Sequence, residues 1–427
     1  MKRLLPVFLL IGLLVAFSIP AFAQDGCMDE LGCVEIASDD PVVIGAMLSV
    51  SGATSFYGED SLGGIELAIS GRDGMLLGRE ITLVVEDSLC SAEGGQAAAQ
   101  RVAADETIVG VIGTTCSGAA QGAMPIISEA GMVMISSSNT SPSLTNDDTE
   151  AGGTYLPGYF RTAHNDLFQG AMGAQYAVEV LKAGAVATIH DGDPYTEGLA
   201  VVMANTFAGL NGEVVFQGAV SKGDTDMSAI LTEIAASAPD VVYLPVFVPE
   251  SEFLVSQAAN TPGLEDAVMM TADGSFSATF AQNTGAAAVG VAMTGPHVSG
   301  EAYSAFLDLW AEEQPGGTEA PPSGFHAHAY DAVNILMDAV EAVAEELDDG
   351  TVLIGRQALR DAISAVENYD GLTGSLTCQD ESPYAGDCAT GTALAVFEIT
   401  EPQVNDGDWP PPIVWDLSMS MMMMNDG

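Results

Sequence analysis

The chain has 427 residues, with 10 Lys or Arg against 59 Asp or Glu, giving a formal net charge of −49. That balance excludes nucleic acid and anionic membrane surfaces as partners, because both would be repelled. With 48% hydrophobic residues the acids must coat a folded body rather than mark disorder, and a saline medium that screens their mutual repulsion is the natural setting.

Lys2 and Arg3 precede an apolar run over 4–22, and Ala21-Phe22-Ala23 supplies small residues for cleavage. Residues 1–23 therefore read as a secretory leader. Cys27 follows Gln24-Asp25-Gly26, which does not suit a lipid attachment site. No later stretch is apolar and long enough to span a bilayer. Residues 24–41 form an acidic N-terminal segment, and the roughly 400 residues after the leader are enough for two domains.

From residue 42 the chain alternates strands and helices. Strands are expected over 42–48, 80–86, 108–113 and 132–135, with helices over 58–70, 91–104 and 119–130. A second block places helices over 166–181, 196–210, 228–236 and 250–260, and strands over 185–190, 213–219, 240–245 and 267–271. Such regular alternation predicts an α/β fold with two doubly wound parallel sheets. Further on, apolar Val333, Leu336, Met337, Val340 and Val343 recur at helical spacing, which predicts a helix over 327–347. Another helix is expected over 356–366 and a last strand over 393–399. Residues 314–322, rich in Gly and Pro, read as an exposed connector. The Met-rich stretch 418–427 reads as a low-complexity tail.

Two loops stand out: Thr114-Thr115-Cys116-Ser117-Gly118 and Ser136-Ser137-Ser138-Asn139-Thr140-Ser141-Pro142. Each follows a short apolar strand, where parallel sheets bind ligands. Hydroxyls, backbone N–H groups and a helix N-terminus suit a small anionic group. Neither loop holds a Lys or Arg, which points to a carboxylate or polar ligand rather than a phosphate-rich cofactor. The six cysteines of an exported chain read as disulfides, and spacing favours Cys27 with Cys33, Cys90 with Cys116 and Cys378 with Cys388.

No G-x-S-x-G elbow, P-loop, G-x-G-x-x-G or H-E-x-x-H occurs, so no enzyme activity, cofactor or metal is expected. His326 and His328 fall on an expected helix, where their spacing puts the rings on different faces.

The chain resembles the periplasmic substrate-binding proteins of the branched-chain amino acid type, which feed ABC importers. The resemblance rests on Ile44-Gly45-Ala46-Met47-Leu48-Ser49-Val50-Ser51-Gly52, Tyr57-Gly58, Gly63-Gly64-Ile65-Glu66-Leu67-Ala68, 87–90, 111–117, 134–142, Phe160-Arg161-Thr162, His190-Asp191, Tyr195-Thr196-Glu197-Gly198, Tyr330-Asp331-Ala332-Val333 and Gly371-Leu372-Thr373-Gly374. It implies a type I fold of two lobes joined by a three-crossing hinge, with 42–161 plus 294–371 in one lobe and 162–293 plus 372–417 in the other. It also implies a ligand set. Ser117, Ser138, Asn139 and Thr140 would hold an amino acid's carboxylate, and Tyr57 would line the side-chain pocket. Tyr195 would arrive with the second lobe, and Glu250, after Pro249, would meet the ammonium. Each has an ordinary alternative: Ser117 and Thr140 as caps, Tyr57 as packing, Glu250 as a partner of its helix dipole. The implied function is capture of a branched-chain or other neutral amino acid by a monomer that partners a membrane permease. Amides or urea are the alternative ligands, and a sensory binding module is the alternative role.

The charge yields a prediction. Lowering salt lengthens the screening distance from ~3 Å at 1 M to ~30 Å at 0.01 M, so the melting temperature of the folded protein should rise steadily with added NaCl. A melting temperature indifferent to salt would remove the inferred saline setting.

Overall fold

Two twisted sheets, each flanked by helices, carry the chain in a computed structural model that describes residues 26–389 and 393–416. The first sheet is built from β1 (Val42–Leu48), β2 (Arg79–Asp87), β3 (Ile108–Gly113), β4 (Met134–Ser136) and β5 (Tyr159–Arg161). These run parallel in the order β2-β1-β3-β4-β5, with the short strand Met75–Leu76 antiparallel on the outside of β2. All seven residues of β1 are buried, as a strand covered on both faces requires. The connecting helices are α1 (Ser55–Ser70), α2 (Ala92–Ala104) and α3 (Ser117–Glu129).

The chain then enters α4 (Asp166–Glu179) and builds the second sheet. Its strands are β6 (Ala185–His190), β7 (Glu213–Ala219), β8 (Val241–Tyr243), β9 (Val268–Thr271) and β10 (Ala292–Pro296). They are parallel in the order β10-β9-β8-β6-β7. Two late strands extend this sheet, β11 (Leu394–Glu398) antiparallel to β10 and β12 (Ile413–Asp416) antiparallel to β11. The helices between are α5 (Pro194–Gly209), α6 (Ser228–Ser237), α7 (Glu250–Ala258) and α8 (Ala278–Thr284). Between β10 and β11 the chain returns to the first sheet as α9 (Glu301–Glu313), α10 (His326–Val343) and α11 (Arg356–Ser364). Apolar residues of α10, among them Val333, Leu336 and Val340, pack with Ile44, Ile112 and Ile135 in the first core. The chain thus passes between the two sheets three times.

Several features differ from the sequence expectations. The acidic segment 24–41 contributes a strand, Cys33–Ile36, that pairs with Val352–Gly355 and buries Val34 and Ile36 on the α10 side of the core; Glu35 faces out, so a three-residue alternation sufficed. The helix expected over 327–347 stops at Val343, and Ala344–Glu346 becomes a strand; two carboxylates at the negative end of a helix would oppose its dipole. Strands β5, β10 and β12 and helices α8 and α9 lay outside the expected elements. The leader over 1–23 and the tail over 418–427 fall outside the described residues.

The three expected disulfides, Cys27–Cys33, Cys90–Cys116 and Cys378–Cys388, are all formed. Among the described residues, no helix is long and apolar enough to cross a membrane.

Gly63 and Gly64 sit in mid-helix, where glycine is disfavoured. Their reason is packing: a Cβ on Gly64 would lie 2.1 Å from the His326 carbonyl oxygen, and one on Gly63 would lie 2.1 Å from the Trp310 ring. Helix α1 therefore touches α9 and α10 backbone to side chain and backbone to backbone. Gly64→Ala should destabilise the protein by about 1–3 kcal/mol through overpacking, measured by urea denaturation. An unchanged midpoint would show that α10 yields at this contact.

Candidate functional site

Loops at the carboxyl ends of β1, β3, β4 and β9 face one another across the two lobes. Between them lies a narrow cavity of about 10 Å³, space for one water at most, lined by Tyr57, Thr115, Cys116, Ser117, Ser138, Tyr195, Phe247, Asp273, Gly274 and Phe325. A larger, mostly apolar cavity of about 450 Å³ lies on the other side of the segment carrying Phe325, with Tyr303, His326 and Trp409 in its wall. It holds none of the strand-end hydroxyls, so we place the site in the smaller one.

The first lobe supplies the polar donors. Ser117 opens α3, where the first turn's N–H groups have no partner within the helix. Its Oγ accepts the Ser141 N–H at 3.3 Å. The Ser138 hydroxyl donates to the Thr115 carbonyl at 2.9 Å, and the Ser136 hydroxyl accepts the N–H groups of Ser138 and Asn139 at 3.2 and 2.9 Å. The hydroxyl-rich second loop is thus folded on its own side chains. The Cys90–Cys116 disulfide ties the residue before Ser117 to the loop after β2.

The second lobe supplies the acid and most of the aromatic wall. The Tyr195 hydroxyl donates to Asp273 Oδ1 at 3.1 Å and accepts the Gly274 N–H at 2.8 Å. Gln169 Nε2 donates to the same carboxylate oxygen at 2.5 Å and to the Thr294 carbonyl at 3.1 Å. Phe247 packs against Tyr57 and Tyr195, with ring centroids 6.0 and 5.0 Å away. The Tyr57 hydroxyl donates to the Asp273 carbonyl at 3.4 Å, across the lobes. A second bridge runs from the Ser141 hydroxyl to the Pro194 carbonyl at 2.9 Å.

Burial sets the electrostatics here. It pushes Asp273 up to about 6, against the opposing hydrogen bonds from Gln169 and Tyr195. Burial, reinforced by the Asp273 charge, raises Tyr57 and Tyr195 well above the ordinary phenol range.

Of the residues expected at the site, Tyr57, Ser117, Ser138 and Tyr195 line the cavity. Asn139 and Thr140 do not. The Asn139 side chain turns into the first lobe, where its Oδ1 accepts from the hydroxyls of Thr114 at 3.3 Å and Tyr159 at 3.5 Å. The Thr140 carbonyl accepts the Asp166 N–H at 2.9 Å. Glu250 also lies outside the lining. It opens α7 and accepts the Gly223 N–H at 2.6 Å. Beside it, Lys222 bonds Asp193 at 2.9 Å and lies 5.7 Å from the centre of the Phe247 ring. Burial would lower Lys222, but the carboxylates of Asp193, Asp191 and Glu250 together raise it.

Asp273, Phe247 and Phe325 escaped the sequence reading. Asp273 lies two residues past the end of β9, so the strand-end rule that found the first-lobe loops would have found it too. Phe325 gave no such signal: it falls between the Gly/Pro-rich connector over 314–322 and α10. Asp60 of α1 holds it in place by accepting the N–H groups of Ser323 and Phe325 at 3.0 and 2.7 Å, and it pairs with His326 Nδ1 at 3.0 Å.

Arg161, fully buried at the end of β5, organises the second loop. Its guanidinium pairs with Asp387 and donates to the carbonyls of Asn139 and Ser141 at 3.1 and 2.8 Å. Arg161→Gln should cost about 3–5 kcal/mol by stranding the Asp387 charge, read from chemical denaturation. A cost below 1 kcal/mol would mean water reaches Asp387 and relieves it.

A family model described as periplasmic binding protein matches residues 41–399. Among curated relatives, an amino acid binding protein of Pseudomonas aeruginosa is 36% identical over 222 residues, which span 51% of this chain and 56% of that protein. The Leu/Ile/Val-binding protein of Escherichia coli K12 is 31% identical over 284 residues, 66% of this chain and 70% of the relative. Among solved structures, a leucine binding protein from Thermotoga maritima superposes with a TM-score of 0.72 at 24% identity, covering 84% of this chain and 96% of the other. A branched-chain amino acid transporter substrate binding protein from Streptococcus pneumoniae, in complex with isoleucine, gives a TM-score of 0.71 at 23% identity, covering 88% and 99%. At these identities the superpositions establish the type I periplasmic-binding fold.

Proposed function

The chain belongs to the periplasmic binding protein family, and from that premise we propose that it captures a zwitterionic neutral amino acid between its lobes and delivers it to the membrane permease of an ABC importer. The observation that carries this reading is the pairing of opposite chemistries across one cavity. Neutral donors and a helix N-terminus stand on one side, and a single acid, Asp273, stands on the other. An α-carboxylate would meet Ser117, Ser138 and the first turn of α3. An α-ammonium would meet Asp273, in place of the expected Glu250, whose carboxylate is engaged by the Gly223 backbone. Tyr57, Tyr195, Phe247 and Phe325 would enclose an apolar side chain, consistent with relatives named for binding leucine, isoleucine and valine.

A cavity of about 10 Å³ is too small for any amino acid, so the lobes must part to admit one and close around it. The bridges from Tyr57 to Asp273 and from Ser141 to Pro194 are the contacts that opening would break. In this reading residues 1–23 direct export and are removed, and the mature protein works as a monomer without catalysis.

A thermal-shift screen of neutral amino acids in high salt tests the function. Ligand at a hundred times its dissociation constant should stabilise by about 2.7 kcal/mol. Asp273→Asn should weaken amino-acid binding at least tenfold, about 1.4 kcal/mol, in titration calorimetry, whereas Glu250→Gln should change affinity much less. The reverse ranking would return the ammonium to Glu250. Binding of amides or urea alone would overturn the amino-acid reading.

A further inference from the structure

Outside the cavity, the second lobe touches the first at a point that the ligand set does not use. Asp193 ends the loop after β6, caps α5 and is 5% exposed. Its carboxylate lies against Gly118, the second residue of α3: a Cβ on Gly118 would stand 2.5 Å from Asp193 Oδ2 and 3.2 Å from its Cγ. We infer that Asp193, held by Lys222, is a closure contact that docks on the start of α3 when the lobes meet and sets how long the closed cleft retains its solute. This rests on the proposed capture between closing lobes, and it adds positioning residues that do not touch the solute.

Asp193 is fixed before it meets the first lobe. Its Oδ1 accepts the Tyr195 N–H at 3.1 Å, and its Oδ2 accepts from Lys222 Nζ at 2.9 Å. Its own N–H donates to Asp191 Oδ1 at 2.9 Å. All three partners belong to the second lobe, so these bonds survive opening. Closing therefore does not have to order this side chain afresh, which removes one of the usual costs of making a contact.

Two features of the first lobe receive it. Helix α3 begins at Ser117, and the positive end of its dipole favours a carboxylate beside the first turn. Lys222 offsets that attraction only in part. Its side chain is 45% exposed against 3% for Asp193, so water screens the ammonium more than the carboxylate. The second feature is the missing side chain at 118. Glycine is disfavoured within a helix, and here it leaves the room that the Asp193 carboxylate fills.

Lys222 joins this contact to a second one. Its Nζ lies 5.7 Å from the centre of the Phe247 ring, and Phe247 packs against Tyr57 of the first lobe. Pro194, the residue after Asp193, accepts the Ser141 hydroxyl through its carbonyl at 2.9 Å. The start of α5 thus meets the first lobe through consecutive residues.

The test uses the mature protein in molar salt with L-leucine as the probe. Asp193→Ser keeps a capping oxygen for α5 but removes the carboxylate, and Gly118→Ala puts a methyl group where the carboxylate lies. Each should speed release of L-leucine by about tenfold in stopped-flow fluorescence, with the association rate little changed. The double variant should release L-leucine more slowly than Gly118→Ala alone, because the collision is gone, whereas two unconnected structural losses would add. Unchanged release from both single variants, or additive losses in the double, would overturn the inference. Slower release from Asp193→Ser would overturn it too, by showing that this carboxylate competes with the solute for the start of α3. A Gly118→Cys/Asp193→Cys variant tests the contact with no solute present: oxidation should link the two positions, as read by peptide mapping. The two failures are distinct. A wild type that does not bind L-leucine removes the amino-acid reading, and a double-cysteine variant that does not link removes the contact.

Discussion

One buried ion pair holds the parts of this protein in register. Arg161 ends the last strand of the first sheet, at the point where the chain leaves for the second. Its side chain bonds Asp387, which stands on the way to the last strands of the second sheet. Its backbone N–H donates to the Gly386 carbonyl, and its carbonyl accepts the Cys388 N–H. Asn165, the cap of α4, donates to the other oxygen of Asp387 at 2.9 Å. Two of the three passages between sheets are thereby tied at one point, and the guanidinium's remaining donors shape the loop 139–145. A buried pair like this contributes little net stability against an apolar substitute, but it tolerates no misplacement. That intolerance would suit the hinge of the proposed closure, where two loops keep their shape.

The charge distribution follows from the same economy of cations. With 10 Lys and Arg among 427 residues, several basic groups occupy structural positions: Arg161 where the chain crosses between sheets, Arg360 on the carbonyls of Ser128 and Met132, Lys222 on Asp193 beside the Phe247 ring. A surface this acidic repels anions, yet the first lobe must receive a carboxylate in the proposed function. Neutral donors resolve the conflict. Backbone N–H groups and serine hydroxyls at a helix start attract an anion without a basic side chain that neighbouring acids would claim.

The second lobe shows how burial makes an acid selective. Asp273 shares the cavity wall with Tyr57, Tyr195, Phe247 and Phe325, and Tyr195 and Gln169 bond its carboxylate through Oδ1. A cationic group entering there replaces a missing solvation shell and gains more than it would at the surface. Glu250, though also buried, lies outside the cavity lining, bonded by the Gly223 N–H and near Lys222. Two acids of similar burial therefore have different capacities to bind.

Local patterns in the sequence determined a good deal. The apolar run 42–48 and the alternation after it specified a parallel α/β architecture, because strand and helix periods are local properties. The cysteine spacing led to the three disulfides, and the hydroxyl-rich loops at strand ends located half of the cleft. Tertiary structure decided the other half. Asp273 and Tyr57 meet although 216 positions separate them, and Phe325 reaches the cavity only because Asp60, 265 positions away, holds its backbone. Asn139 and Glu250 have the chemistry of ligand residues, but their partners, Tyr159 and Gly223, turn them elsewhere. Which polar group remains available for a ligand depends on every hydrogen bond already made around it, and those bonds join segments that no local pattern connects.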